Sequence, residues 1–238
     1  MSFSDEKGWF RKLGALRFLM SRDFSGLVIY LLSSLCIIFV AQPIHEFAHG
    51  WMAYKLGDPT AKNQGRLTLN PLAHMDPLGS LCILLFGIGW AHPVPVNAFF
   101  FKKRKLGILL SALAGPLSNL LVSILVAILF NIAYLIVGQS AVMMWVYVFV
   151  YYFVAINCVL AVFNLLPIPP LDGSRIFGAI LPERWTYKIM KYENIIRIVL
   201  LVLLFTRVLS PLIGFLQSHA VRIVFAVADW PFRLFGVL

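Results

Sequence analysis

Charge is what this sequence has least of. Only 13% of its 238 residues are Asp, Glu, Lys or Arg, against 61% that are hydrophobic, and the mean hydropathy is +0.87. A soluble domain is about a quarter charged and about half apolar. The composition therefore excludes disorder, collagen-like or mucin-like chains, and an ordinary cytosolic enzyme. Low-complexity stretches, internal repeats and Gly/Ser-rich linkers are absent. The three cysteines, Cys36, Cys82 and Cys158, lie in apolar runs without paired or ligand-like spacing, which reads as packing thiols rather than a disulfide framework. Acidic residues are scarcer than basic ones, ten against twenty. In so apolar a chain that excess belongs beside anionic lipid head groups, not on nucleic acid. What remains is an all-α polytopic membrane protein, one compact core with little room for an extramembrane module.

The apolar runs set the map. Residues 1–24 carry Lys7, Arg11, Lys12, Arg17 and Arg22 among Trp9, Phe10, Leu13, Leu16, Phe18 and Leu19, a basic amphipathic arm expected to lie on the membrane. No cleavable signal pattern precedes it. Phe24–Ile44 holds no charge and is long enough to cross a hydrocarbon core, which needs about 20 residues. From Leu106 to Leu171 there is no ionisable Asp, Glu, Lys, Arg or His; those 66 residues break at Gly138-Gln139-Ser140 into two helices. A last run covers Ile195–Leu216, interrupted by Arg197 and Arg207. Pro77–Ala91 is too short to span comfortably and reads as re-entrant. Around it, Gly65–Asn70 and Pro93–Asn97 read as short strands or extended turns, the first of these making a small β region. The expectation is four to five transmembrane helices, a core over 25–216 with the re-entrant region at about 60–105, and a C-terminal amphipathic segment over 217–238. With four spans, eleven basic residues in the loops 55–105 and 172–191 face seven at the two ends, which assigns the loops to the cytoplasm and both termini outside.

The chemistry sits at the end of the first run, in His45-Glu46-Phe47-Ala48-His49. Four residues advance a helix by about 400°, so the two imidazoles share one face, one turn apart. That spacing suits two ligands of one zinc ion, with Glu46 beside them to take a proton from water. Three ionisable groups at the end of a membrane helix are costly unless they face a cavity and act there. Zinc then needs a third protein ligand. Asp172 is the first charge after the long uncharged stretch, following Pro167, Pro169 and Pro170 and preceding Gly173. Taken alone, it reads equally well as a loop aspartate at the membrane surface.

His45-Glu46-x-x-His49 in one span, with Asn164-x-x-Pro167 and Leu171-Asp172-Gly173 in a later segment, resembles the site-2 protease family of intramembrane zinc metalloproteases. Ala114-Gly115-Pro116-Leu117-Ser118-Asn119 is similar to that family's middle core helix. The resemblance covers roughly residues 27–181. It implies one zinc ion on His45, His49 and Asp172, Glu46 as general base, and Asn119 as a catalytic residue that binds substrate or stabilises the oxyanion. It also implies a minimal member with no PDZ or CBS domain, a transmembrane protein or peptide as substrate, and the plasma membrane of a prokaryotic cell. An exposed edge of the expected strands offers a place to hold an unwound substrate. His74 and Asp76 read equally as site residues or as turn caps, and self-association stays open. The rival reading is a membrane zinc transporter or metal sensor, which has no use for a glutamate between two histidine ligands.

Overall fold

The computed structural model describes residues 15–206, 208–234 and 236, and every regular element among them is helical. Of the expected N-terminal arm, the helix α1 (Ala15–Ser21) and the turn after it fall within the described part. Residues 1–14 and Arg207 lie outside it.

The second helix, α2 (Phe24–Lys55), is 32 residues long and carries the His-Glu-x-x-His sequence. Asp23 caps it, accepting a hydrogen bond from the Gly26 N–H at 2.9 Å. Pro43 interrupts the α pattern: it has no N–H for the Phe39 carbonyl, and its ring crowds that position. The helix widens there into a π turn over Ile37–Ala41, in which Gln42 N–H donates to the Ile37 carbonyl, five residues back. Three short helices follow, α3 (Thr60–Asn63), α4 (Pro71–His74) and α5 (Pro77–Phe86), and then a single 3₁₀ turn at Ala98–Phe100. Two long helices, α6 (Arg104–Val137) and α7 (Ala141–Asn164), form a hairpin broken at Gly138. The chain ends through α8 (Asp172–Ile180), α9 (Glu183–Lys191), α10 (Glu193–Phe205) and α11 (Ser210–Leu234).

Four of these, α2, α6, α7 and α11, are long and apolar enough to cross a membrane. Their surfaces are patterned accordingly. On α6, Leu117, Leu121, Leu125 and Leu129 are exposed, while the buried stripe runs Gly107, Ser111, Gly115, Asn119, Ser123, Ala127 and Asn131. Apolar residues face outward, and small or polar ones face the bundle, the sorting that lipid solvent imposes. The helix α7 is the centre, packed against α2, α6 and α11. Polar ties cross these interfaces: Tyr30 Oη donates to the Ile83 carbonyl at 2.9 Å, Ser33 Oγ to Phe149 at 3.1 Å, and Gln217 Nε2 to Ala155 at 2.8 Å.

Two expectations are corrected. The β region over 60–105 is not a sheet, because no strand occurs among the described residues. Pro93 and Pro95 remove the N–H groups a ladder needs. The two stretches expected to pair meet instead through a side chain: the Arg66 guanidinium donates to the carbonyls of His92 at 2.8 Å and Pro93 at 3.1 Å. There is thus no strand edge to receive a substrate. The second correction is the last span. Ile195–Leu216 is two helices, since the Thr206 hydroxyl turns back onto the Val202 carbonyl at 2.8 Å and Pro211 opens the next helix. The fourth long helix is Ser210–Leu234, which runs through the boundary expected at 216/217.

The segment expected to be re-entrant contains α5. Ten residues rise about 15 Å, half a hydrocarbon core. Gly87, at φ 77°, ends the helix, and the chain returns against it. The return is backbone on backbone: a Cβ on Gly79 would fall on the Trp90 carbonyl oxygen, and one on Gly89 on the Gly79 carbonyl oxygen. Gly79→Ala and Gly89→Ala should each cost about 1–3 kcal/mol through overpacking. Thermal unfolding in detergent, with a lower Tm for both variants than for wild type, checks this.

Candidate metal centre

Three elements deliver the site. The helix α2 supplies His45, Glu46 and His49, α6 passes across them, and Asp172 opens α8. All three of the α2 residues are buried. His45 Nε2 and His49 Nε2 are 3.0 Å apart, and Asp172 Oδ2 lies 3.4 Å from the first and 3.1 Å from the second. Ligands about 2.0–2.1 Å from a tetrahedral zinc stand about 3.3 Å from one another. The donor set fits such an ion in spacing and in chemistry, two imidazoles and a carboxylate, and among the described residues it is the group that can hold a metal.

The tautomer of His49 is set from behind. Its Nδ1 donates to the Ser111 carbonyl of α6 at 2.7 Å, which leaves Nε2 with a free lone pair aimed at the cluster. Three lone-pair atoms at this range repel unless a cation or a shared proton sits between them. His45 Nδ1 is buried without a partner among the described residues.

The approach of α6 depends on Gly115. A Cβ there would fall on the His49 ring and 2.7 Å from His45 Cε1. The residue four on, Asn119, is 2% exposed, and its Oδ1 has no partner among the described residues. It lines the same cavity, of about 480 Å³, as the ligands.

Glu46 stands apart from the ligand cluster. Its Oε2 accepts from the Val94 backbone N–H at 2.9 Å. That N–H is held from both sides. Arg66 pins the His92 and Pro93 carbonyls, and the fully buried Asp58 accepts from Asn97 N–H through Oδ2 at 2.6 Å and from Thr60 N–H through Oδ1 at 2.9 Å. The extended piece 92–97 is therefore a strap, stiffened by two prolines, with the carboxylate of Glu46 tied at its middle.

Of the residues singled out in the sequence, His45, Glu46, His49, Asn119 and Asp172 converge on this cavity. His74 does not line it: the ring is buried and donates through Nε2 to the Thr68 carbonyl at 2.8 Å. Asp76 caps α5, accepting from Gly79 N–H at 2.7 Å. Cys82, read as a packing thiol, lines the cavity, as does Gln42. Gln42 was findable, lying three residues before His45 on one helix face. The Ser111 carbonyl and the Val94 N–H are backbone groups and leave no mark in the side-chain pattern.

Three groups that could hold a metal, with a tethered carboxylate beside them, are set among helices long and apolar enough to cross a membrane, the features expected of a membrane-embedded metal-dependent hydrolase. The chain belongs to peptidase family M50, whose profile matches residues 33–207. It is 42% identical over 189 residues to a protein of Bacillus subtilis provisionally named zinc metalloprotease YwhC, covering 76% of this chain and 82% of that one. A Methanocaldococcus jannaschii protein with a name of the same kind, MJ0611, is 30% identical over 164 residues, 68% of this chain and 77% of the relative. Rip2 of Mycolicibacterium smegmatis, also provisionally a zinc metalloprotease, is 33% identical over 158 residues, which are 54% of its length. No solved structure gives a significant match.

Gly115→Ala should cut zinc affinity by about tenfold or more, the scale of disturbed support around ligands. Metal analysis after chelator competition checks it, with far-UV circular dichroism unchanged because α6 tolerates alanine.

Proposed function

We propose that the protein is a zinc-dependent intramembrane endopeptidase, hydrolysing peptide bonds within or near transmembrane segments of membrane proteins. The observation that carries this reading is the division of labour in one cavity: three converging metal ligands, and a fourth ionisable group, Glu46, held off the metal by a backbone N–H. A transporter or sensor needs the first and has no use for the second.

His45, His49 and Asp172 hold one zinc ion per chain. Zinc in such a site supplies Lewis acidity, acidifying water and polarising a carbonyl. Glu46 takes the proton of the attacking water and passes it to the leaving amine. The tether from Val94 fixes which carboxylate oxygen faces the cavity, so the base is oriented before substrate arrives. Asn119, with an amide oxygen that has no partner among the described residues and its side chain on the cavity wall, hydrogen-bonds the substrate backbone beside the scissile bond. A transmembrane helix hides its carbonyls in its own hydrogen bonds, so the substrate unwinds locally in the cavity. Its walls, which include Phe163, Leu200 and Ile213, receive the apolar side chains of the unwound stretch.

Glu46→Gln should retain zinc and lose cleavage of a membrane-spanning reporter by about 10²–10⁴-fold. Asp172→Ala should lose zinc as well as activity. Metal analysis of both purified variants beside the reporter assay is the check; full cleavage by Glu46→Gln overturns the assignment.

In this reading the protein crosses the plasma membrane four times, with the loops 55–105 and 172–191 on the cytoplasmic face and both termini outside, and lipid is its constant partner. Single cysteines at Lys103 and Lys188 should be labelled from the same face by an impermeant maleimide. Labelling from opposite faces rejects this topology.

A further inference from the structure

Two arginines share the cavity with the metal ligands, Arg175 from α8 and Arg197 from α10. They differ in what they touch. Arg197 is paired on its own helix, with Glu193 at 3.0 Å. Arg175 makes no hydrogen bond or ion pair among the described residues. It sits three residues after Asp172 on α8, a spacing that puts side chains on one helix face with Cβ atoms about 5–6 Å apart. Arg175 thus lines the same cavity as His45, His49 and Asp172, with its guanidinium free of partners among the described residues. The neighbouring walls are apolar, including Phe163, Leu200, Leu204 and Ile213. Arg175 is exposed, and a guanidinium without a partner among the described residues at the mouth of an apolar cavity is free to take an anionic group that enters it.

We infer that Arg175 is a substrate-binding residue, recognising a carboxylate carried by the substrate within a few residues of the scissile bond. The inference rests on the peptidase reading and sharpens its substrate class. The planar fork of arginine suits bidentate binding of a carboxylate, which fixes orientation as well as position. The carboxylate comes from an Asp or Glu side chain, or from a free chain end. Such a contact also sets register. A segment sliding through an apolar cavity has many nearly equal positions, and one charge pair selects among them.

The test uses the full-length, zinc-loaded protein in phosphatidylcholine vesicles. Single-span reporters carry Asp, Asn or Lys at each position near the cut, and a matched set ends there in a free carboxylate or an amide. For wild type, kcat/KM should favour Asp over Asn at one or two positions by about tenfold to a hundredfold, the range of a charged hydrogen bond, mostly through KM. Preference in the side-chain set identifies an Asp or Glu; preference in the matched set alone identifies a chain end. Arg175→Gln should collapse the ratio toward one, and Arg175→Glu should invert it in favour of Lys. Zinc content and Tm, measured on both variants, separate this from misfolding, and Arg175→Gln serves where the reversal does not fold. Equal cleavage of acidic and neutral reporters at every position overturns the inference while leaving the peptidase reading intact. So does a loss in Arg175→Gln that is uniform across reporters and varies with added phosphatidylglycerol, which would make the partner a lipid phosphate. No cleavage of any reporter by wild type overturns both.

Discussion

Three lone-pair atoms held within 3.4 Å of one another where separate helices meet are the constraint from which the rest follows. Such a cluster is repulsive on its own and expensive to bury. The fold meets that cost by supplying geometry from separate parts of the chain. A helix four-residue repeat places the imidazoles, a carbonyl from α6 fixes one ring, and a proline-rich turn brings Asp172 in from 123 positions away. None of these is strong alone. Together they leave the donors little freedom to separate, so the site is preformed for the cation that neutralises it.

The inner stripe of α6 is the second half of that solution. Small residues allow the backbone itself to come up to the ligands, and polar ones give the buried surface partners. At Gly115 the helix has no side chain to spare. The same helix turns leucines to the outside, so one element is both a wall of the cavity and part of an apolar outer surface.

Much of this was legible in the sequence, for reasons tied to particular residues. The His45–His49 spacing maps onto a face without knowledge of the fold, and Asp172 stands out because 66 uncharged residues precede it. The number of long apolar helices follows from lipid thickness. Legibility failed where two extended stretches were expected to pair as strands. Gly65–Asn70 and Pro93–Asn97 do lie together, but prolines had removed the donors and an arginine replaced the ladder. It failed again at Thr206–Ser210, because hydropathy averages over a break that a hydroxyl and a proline make locally. Backbone partners, the Ser111 carbonyl and the Val94 N–H, were invisible because any residue can supply them.

The π turn at Ile37–Ala41 has a consequence for how this helix can change. One extra residue in a turn is a phase shift of about 100° between what comes before and what comes after. Upstream, Tyr30 and Ser33 are committed to α5 and α7; downstream, His45 and His49 are committed to the cluster with Asp172. The turn is what lets both commitments hold on a single rod. A one-residue deletion there, though silent in composition and hydropathy, would rotate the anchor against the ligands, whereas a substitution leaves the phase alone. The segment that looks most replaceable by side chain is thus the one whose length is least free.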